Sequence, residues 1–349
     1  MQKTILVTGG AGFIGSHLCE FLTAKGYKIT CIDNLGTGKL ENLKAIIKNK
    51  NFKFIKHNII KPFKLSGRFD YVFHLASYAS PPYYQKYSIE TLMTNSLGTY
   101  NVLEFARLKK AKYLITSTSE TYGDPKEHPQ KETYWGNVNP VGVRSCYDEA
   151  KRFAESLSME YLRKYKVDVR IIRIFNTYGP RLQKDDGRVV SNFIYQAINR
   201  KPITIYGSGG QTRSFCYVSD MVAGLSAAMF TPGTKGEVIN LGNPIEKTMK
   251  EIADIIKSMA GAKVKIVYRP LPKDDPARRK PDISKAKKLL GWEPKVGLNE
   301  GLRKTIEWFN PTTRKTPPVE AGNYIASGRE HIIRKGAGSV KRGCSTNAK

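Results

Sequence analysis

The chain has 349 residues, of which 40% are hydrophobic and 25% charged, and its formal net charge at pH 7 is +28. This length and composition predict a soluble globular protein with one large domain and a lobe, or with two domains. No apolar run reaches the roughly 18 residues that a transmembrane helix needs, and the start of the chain lacks a signal-peptide pattern, so a membrane association is not expected.

The positive charge is spread along the chain rather than clustered with aromatic residues, so a nucleic-acid partner is not indicated. We interpret most of the excess as solvated surface. The five cysteines, at positions 19, 31, 146, 216 and 344, have no zinc-binding spacing. We therefore expect no metal site, reduced thiols and a cytoplasmic location, with Cys146 packed rather than reactive.

The first predicted elements are a buried strand at Thr4–Thr8, a helix at Ile14–Lys25 and a second strand at Lys28–Ile32. Between the first strand and the helix lies a turn with glycines at positions 9, 12 and 15. Small residues there let the backbone approach a pyrophosphate, and the helix N-terminus stabilises its charge. Asp33, 18 residues after the last glycine, is placed to bond a ribose 2′-hydroxyl, which favours NAD over NADP.

Strands and helices continue to alternate after this unit. Strands are predicted at Phe52–Lys56 and Tyr71–Leu75, and a long helix at Ile89–Leu108. His74 follows an apolar run, so we interpret it as a packed or capping histidine. The alternation predicts an α/β fold of the Rossmann type, with a doubly wound parallel sheet.

The centre of the chain carries the candidate chemistry. The segment Tyr113–Glu120 is typical of a strand that ends in hydroxyls and one carboxylate, and a helix is predicted to begin at Ser145. Tyr147 and Lys151 are four residues apart on that helix and therefore share a face. An ammonium beside a phenol lowers its pKa, so we expect Lys151 to make Tyr147 usable as a base near neutral pH.

The second half has a looser pattern. A strand is predicted at Val169–Ile174 and a helix at Gly187–Asn199, followed by short strands and helices as far as Phe309. We expect an NAD-binding domain over residues 1–180, with some later segments returning to it, and a smaller C-terminal α/β substrate-binding lobe over 181–310. Residues 311–349 hold eight basic and two acidic side chains among many Gly and Pro breaks, which predicts a disordered basic tail.

These motifs resemble the extended short-chain dehydrogenase/reductases and, within them, the UDP-glucuronic acid decarboxylases. The resemblance runs from about Ile5 to Phe309 and is dense at Ser80-Pro81-Pro82, in the loop around Trp135 and at Arg279-Lys280-Pro281-Asp282. The subfamily depends on the triplet Thr118-Ser119-Glu120. Similar 4,6-dehydratases usually carry Thr-Asp-Glu at this strand end, and 4-epimerases usually lack the Glu.

The resemblance implies a homodimeric enzyme that decarboxylates UDP-glucuronate. Tyr147 takes the proton of the carbon-4 hydroxyl, Thr118 bonds the same oxygen, and hydride passes to NAD and back, giving UDP-xylose. The alternatives left open are a 4-epimerase, a 4,6-dehydratase and a decarboxylase that stops at the 4-keto pentose. A rival from another class is an inactive NAD-binding scaffold that holds nucleic acid on its positive surface.

The resemblance also implies the site residues. The catalytic set is Tyr147, Lys151, Thr118, Ser119, Glu120 and Arg279. The cofactor set is Gly9, Gly12, Phe13, Ile14, Asp33, Asn34, Thr37, Gly38, Asn58, Ile59, Leu75, Ser77, Thr94, Thr116, Tyr147, Lys151, Thr177 and Arg188. The substrate set is Ser80, Thr118, Glu120, Tyr147, Asn176, Val190, Ser191, Tyr206, Gln211, Arg213 and Arg279.

Three positions depart from the family pattern, which commonly has Lys at Met93, Asp at Asn58 and Gln at Cys216. Whether Ser119, Glu120 or Arg279 protonates carbon 5 is open. Beside a substrate carboxylate, Glu120 is expected to have a raised pKa and to be able to act as an acid. Arg279 is suited to pair with either the carboxylate or the diphosphate.

Overall fold

A parallel sheet forms the centre of the fold in a computed structural model that describes residues 2–184, 186–271 and 278–310. The strands in chain order are β1 Thr4–Thr8, β2 Lys28–Asp33, β3 Phe52–Lys56, β4 Tyr71–His74, β5 Lys112–Thr118, β6 Val169–Ile174, β7 Thr177–Tyr178, β8 Ile203–Tyr206, β9 Thr212–Ser214, β10 Cys216–Tyr217, β11 Val238–Leu241, β12 Glu246–Thr248, β13 Ile266–Arg269 and β14 Arg278–Arg279.

Helices cover the sheet and build the second half. In chain order they are α1 Phe13–Ala24, α2 Pro81–Lys86, α3 Ser88–Met93, α4 Thr99–Lys109, α5 Ser145–Tyr165, α6 Val189–Ile198, α7 Val218–Phe230, α8 Met249–Met259, α9 Ser284–Leu290 and α10 Leu298–Phe309. Short 3₁₀ turns occupy Leu40–Leu43 and Ser119–Tyr122. Among the described residues, no helix is both long and apolar enough to cross a membrane.

The central sheet has seven parallel strands in the order β11-β6-β5-β4-β1-β2-β3. Apolar side chains on both faces of β1, with Ile5, Leu6 and Val7 fully buried, explain its place in the middle of a sheet covered by helices on each side. The strand order changes direction between β1 and β4, and β1 pairs in parallel with β2 on one side and with β4 on the other. A ligand crevice is expected at such a switch point, outside the carboxyl ends of the strands. The predicted Rossmann-type fold is confirmed.

A later part of the chain returns to this sheet. Strand β11 pairs with β6, from Val238 beside Ile171 to Leu241 beside Ile174. At the end of α7, Phe230 stacks on Tyr27 with ring centroids 5.2 Å apart. Residues after β6 also form small sheets of two or three strands, in the orders β12-β9-β14, β13-β8 and β10-β7. The division at residue 180 stays a prediction, and the predicted tail lies outside the described residues.

The long helix predicted at Ile89–Leu108 is confirmed as a helical run from Ser88 to Lys109, in which a π-helical turn at Thr94–Gly98 lies between α3 and α4. Two side chains bond backbone carbonyls one turn earlier: Asn95 Nδ2 donates to Thr91 O at 2.9 Å, and Ser96 Oγ donates to Leu92 O at 2.7 Å. Such side-chain bonds compete with the regular helical ladder. The helix predicted from Gly187 begins later, at Val189, because Gly187 has a positive φ of 75°.

Candidate functional site

A cavity of about 720 Å³ opens at the carboxyl ends of the central strands. Its wall combines the glycine turn, the end of β5, the first turns of α5 and residues of β8, β9 and β14. Almost every site residue predicted above lines this one cavity, and Gly38 and Ser191 do not. Residues from distant parts of the sequence are thus brought together here, while their individual roles stay predictions.

The glycine turn makes the cradle that a dinucleotide needs. Gly9 has a φ of 73°, and a Cβ there would lie 2.7 Å from the Ala76 backbone. A Cβ on Gly15 would lie 2.1 Å from the carbonyl oxygen of Gly9, so α1 can begin this close to the turn only without a side chain. The Asp33 carboxylate accepts hydrogen bonds from Ala11 N at 3.0 Å and Leu35 N at 2.8 Å. Its oxygens keep lone pairs for ribose hydroxyls, so the residues present fit NAD.

The two residues outside the cavity wall support it from behind. A Cβ on Gly38 would lie 2.9 Å from the Ala11 backbone, so the loop after β2 packs closely on the glycine turn. Ser191 is fully buried, and its hydroxyl donates to Asp186 Oδ1 at 2.7 Å. The same carboxylate oxygen accepts Arg188 N at 3.0 Å, which holds the loop before α6. These contacts give both residues a role in shaping the site.

Tyr147, Lys151 and the end of β5 form one buried group. Lys151 Nζ donates to the carbonyl oxygen of Thr116 at 2.9 Å and lies 5.9 Å from the centre of the Tyr147 ring. Tyr147 and Lys151 are 5% and 4% exposed. The helical spacing of four residues therefore places the phenol and the ammonium on one face of α5, as predicted.

The expected fall in the Tyr147 pKa is wrong for the chain by itself. Burial raises this pKa to about 12, and the negative charges of Glu120 and Asp148 act in the same direction. The Thr118 hydroxyl and the positive charge of Arg188 oppose the rise. Burial also lowers the pKa of Lys151 to about 8, against the influence of Glu155. Loss of hydration on burial is therefore the largest influence on the pKa of each group.

Glu120 lies between two arginines. Its Oε2 accepts Arg144 Nη2 and its Oε1 accepts Arg279 Nη1, each at 2.6 Å. Arg144 comes from the residue before α5 and Arg279 from β14, so the cluster joins the strand end to the substrate side of the cavity. Arg144 was not predicted, because only its position three residues before Tyr147 could have pointed to it.

The charge state of Glu120 can be described for the chain by itself, and its raised pKa beside a substrate carboxylate stays a prediction. Burial favours its neutral form, but the positive charges of Arg279 and Arg144 outweigh burial and hold its pKa at about 2. The sequence argument considered only a second carboxylate nearby and omitted these two guanidinium groups. Glu120 is therefore an anion at neutral pH, and two cations against one anion leave the three side chains with a net charge of +1.

An aromatic layer supports Tyr147 from the α2 side. The rings of Tyr84 and Tyr147 are stacked with centroids 4.9 Å apart and planes within 4° of parallel. Cys146 packs in the same cluster, with Sγ 3.4 Å from the carbonyl oxygen of Tyr84, so its predicted packing role is confirmed. Sequence reasoning missed Tyr84, since no local pattern relates α2 to α5.

A second buried network lies behind Lys151. Glu155, one turn further along α5, accepts Ser117 Oγ at 2.5 Å. Arg173 of β6 donates Nε and Nη2 to the two oxygens of the same carboxylate at 2.9 and 2.8 Å. Thr116 and Ser117 are consecutive, so α5 is attached to β5 at two adjacent residues. This attachment fixes the position of the Tyr147 face.

Several other sequence interpretations can be placed. His74 is buried between Thr8 Oγ1 at 2.7 Å and Thr99 Oγ1 at 3.1 Å, and burial lowers its pKa to about 3, which confirms a packed histidine. Arg181 lines the cavity and donates Nη2 to Glu20 at 2.6 Å. Met93 is 38% exposed and lies outside the cavity wall, so its departure from the family pattern does not remove a wall contact.

The relatives of the chain agree with this architecture. Residues 6–305 match the family described as GDP-mannose 4,6 dehydratase. The chain is 53% identical over 305 residues to UDP-glucuronic acid decarboxylase 4 of Arabidopsis thaliana, covering 87% of this chain and 68% of that protein. It is 48% identical over 335 residues to UDP-glucuronic acid decarboxylase 1 of Danio rerio, covering 96% and 78%. The chain belongs to the UDP-glucuronic acid decarboxylase family.

Solved structures place this decarboxylase family beside nucleotide-sugar enzymes of the same fold. A UDP-glucuronic acid 4-epimerase from Bacillus cereus, in complex with UDP-glucuronic acid and NAD, is 32% identical with a TM-score of 0.81, covering 87% of this chain and 98% of the epimerase. A dTDP-glucose 4,6-dehydratase from Bacillus anthracis, in complex with NAD, is 27% identical with a TM-score of 0.76, covering 88% and 96%.

Proposed function

We propose that the chain is an NAD-dependent decarboxylase that converts UDP-glucuronate to UDP-xylose and carbon dioxide. The observation that carries the proposal is the Arg144–Glu120–Arg279 cluster, with its net positive charge, in the same cavity wall as Tyr147. The 53% identity to a plant decarboxylase, against 32% to a structurally similar epimerase, supports decarboxylation over epimerisation.

The oxidation and the reduction share one set of residues. NAD, when bound, supplies the hydride acceptor for carbon 4 of the sugar and returns that hydride after carbon dioxide has left. Tyr147 takes the proton of the carbon-4 hydroxyl and holds it at Oη. The pKa of this phenol is about 12 in the chain by itself, so the phenolate that accepts the proton would need the positive charges of Lys151 and of bound NAD to form. The protonated Tyr147 and Thr118 then donate to the oxygen on carbon 4 while it carries negative charge.

The carboxylate leaves from a carbon next to the new carbonyl. The bond from carbon 5 to the carboxylate breaks, its electron pair moves into the carbonyl to give an enolate, and carbon 5 then takes a proton. The two arginines neutralise the substrate carboxylate and orient it. In the chain by itself Glu120 has a pKa of about 2, so it is an anion before the substrate binds and holds the two guanidinium groups in place. Which of Ser119, Glu120 and Arg279 protonates carbon 5 stays open.

The test is a product analysis. The chain is incubated with NAD and UDP-glucuronate, and carbon dioxide and the nucleotide sugar are followed by mass spectrometry. Carbon dioxide with UDP-xylose supports the full cycle, and a 4-keto pentose with free NADH would mean that the last reduction fails. UDP-galacturonate without carbon loss would contradict decarboxylation. Tyr147→Phe should abolish turnover, whereas Tyr195→Phe, outside the cavity wall, should not.

We also propose a homodimer that pairs through α3, α4 and α5. These helices and the π turn between α3 and α4 carry exposed large apolar residues, namely Ile89, Leu92, Leu97, Tyr100, Leu108, Phe153 and Tyr165. An apolar surface of this extent favours a protein–protein contact. Light scattering after size exclusion should give twice the chain mass, and Phe153→Glu should give a monomer. A monomeric parent chain would contradict the proposal.

The remaining predictions concern the cellular location of the protein and a nucleic-acid partner. A cytoplasmic location and the lack of a nucleic-acid partner stay predictions. The nucleic-acid scaffold is tested by RNA binding at increasing salt, on the full chain and on a chain ending near Phe309. Tight, salt-dependent binding together with no turnover would favour the scaffold.

A further inference from the structure

Asp148 is a buried carboxyl group that the proposed reaction does not use. It follows Tyr147 in the first turn of α5 and is 5% exposed. Its Oδ1 is buried without a hydrogen-bond partner among the described residues, and its Oδ2 is 3.8 Å from Arg144 Nε. A buried carboxylate usually has its oxygens hydrogen-bonded, so this environment poorly stabilises the charged form.

The surroundings of Asp148 hold both signs of charge. Its charged and titratable neighbours are Tyr84 from α2, Glu120 after β5, Arg279 from β14, and Arg144, Cys146, Tyr147 and Glu149 around its own turn. Burial, followed by Glu120, favours the protonated form of Asp148, and Arg144 followed by Arg279 opposes them. The cluster of Arg144, Arg279, Glu120 and Asp148 therefore has a net charge of 0 with Asp148 ionised and +1 with Asp148 protonated.

A substrate carboxylate changes this balance. If one more negative charge binds to the two arginines, a neutral cluster becomes negative, whereas a cluster of +1 becomes neutral. Buried like charges disfavour each other's ionised forms. We propose that Asp148 takes up a proton when the substrate carboxylate binds, so that the charge of this wall matches a sugar that carries an acid group. The identity of that ligand rests on the proposed function.

Proton uptake makes affinity depend on pH. The pKa of Asp148 is raised to about 7, mainly by burial and then by Glu120, so the group is partly ionised near neutral pH. Below this pKa Asp148 already carries the proton, and above it the proton must come from solvent. If the bound form stays protonated, the dissociation constant for UDP-glucuronate rises about tenfold from roughly pH 6 to pH 8, with uptake of about half a proton at pH 7.

The experiment is a calorimetric titration of the full, NAD-saturated chain with UDP-glucuronate in buffers of different ionisation enthalpy. Tyr147→Phe is used to prevent turnover, and UDP-glucose, which lacks the carboxylate, is the control ligand. Asp148→Asn on the same background keeps the size of the side chain and mimics its neutral form. Lys151, whose pKa is about 8, titrates in both proteins, so the comparison removes its contribution.

We expect more proton uptake with UDP-glucuronate than with UDP-glucose, and after Asp148→Asn we expect this difference between the two ligands to disappear, both in uptake and in pH dependence. Equal pH dependence with and without Asp148 would overturn the inference. If Asp148→Asn fails to fold, equal pH dependence for the two ligands on Tyr147→Phe would overturn it. If Tyr147→Phe shows this proton-linked binding but the parent chain releases no carbon dioxide, the result would contradict the proposed reaction and support the role of Asp148.

Discussion

Replacing Glu155 by Gln tests how the buried network behind the site controls Lys151. The Glu155 carboxylate accepts hydrogen bonds from Ser117 of β5 and from Nε and Nη2 of Arg173. It lies one turn from Lys151 on α5, and its negative charge raises the pKa of that ammonium against burial. The substitution keeps the size of the side chain and removes the charge, so it separates electrostatics from packing.

The cost in stability follows from the burial of the pair. The side chains of Arg173 and Glu155 are 13% and 12% exposed, and breaking a buried ion pair costs about 3–5 kcal/mol. Glutamine still accepts one hydrogen bond and some solvent reaches the site, so we expect about 2–3 kcal/mol. For a chain of this size, that corresponds to a fall in Tm of roughly 3–5 °C.

The effect on catalysis has a definite sign. Glu155→Gln removes the negative charge that raises the pKa of Lys151. Burial then acts without this opposing charge, so the pKa of Lys151 falls below its present value of about 8. Activity that needs the ammonium form is then lost at a lower pH. The assay is carbon dioxide release against pH at saturating NAD, with thermal unfolding in parallel. Both the alkaline limb of the profile and the Tm should fall.

The matched control is Glu160→Gln on the same helix. Glu160 pairs with Arg163, and both side chains are about 60% exposed, so this pair contributes about 0.5 kcal/mol or less. The control should leave the Tm and the pH profile unchanged. If Glu155→Gln lowers the Tm but leaves the alkaline limb of the pH profile unchanged, the proposed effect of its charge on Lys151 is refuted. If neither the Tm nor the pH profile changes, the structural role of Glu155 is refuted as well.

Three further outcomes are expected. Asp33→Asn should weaken NAD binding roughly 10- to 100-fold, because hydrogen bonds to a charged acceptor contribute about 1.5–3 kcal/mol. An unchanged dissociation constant for NADH in a fluorescence titration would contradict the ribose contact. Gly15→Ala should abolish NAD binding through the 2.1 Å approach to Gly9 O, whereas Gly297→Ala, with open space around its Cβ, should bind normally. Glu120 has a folded pKa of about 2, so its charge stabilises the fold above about pH 4.5, and this stabilisation is lost as the pH falls towards 2. In denaturant unfolding measured from about pH 5 to pH 2, Glu120→Gln should therefore lose less stability than the parent chain. An unchanged dependence of stability on pH would argue against the ion pairs.

Much of the fold and of the candidate site could be predicted from local sequence patterns. The glycine turn, Asp33, and the Tyr147 and Lys151 pair were predictable because each depends on neighbours within one strand, turn or helix. The order of elements then sufficed for the parallel sheet, since alternating strands and helices leave few topologies.

Features that depend on distant contacts were missed or wrong. The partners of Glu120 come from residues 24 and 159 positions away, so its low pKa could not be read from its own strand end. The raised pKa of Tyr147 depends on burial under Tyr84 and on Asp148, which helix spacing does not reveal. The π turn at Thr94–Gly98 arises from side-chain bonds to the backbone that periodicity alone does not detect.

The most direct measurement follows one hydrogen atom. UDP-glucuronate carrying deuterium at carbon 4 is converted by the full chain with a catalytic amount of NAD, and the product is analysed by mass spectrometry and NMR. If one bound cofactor removes and returns the same hydride, UDP-xylose keeps the deuterium at carbon 4 while carbon dioxide is released. Loss of the deuterium from carbon 4 in the product would contradict the account.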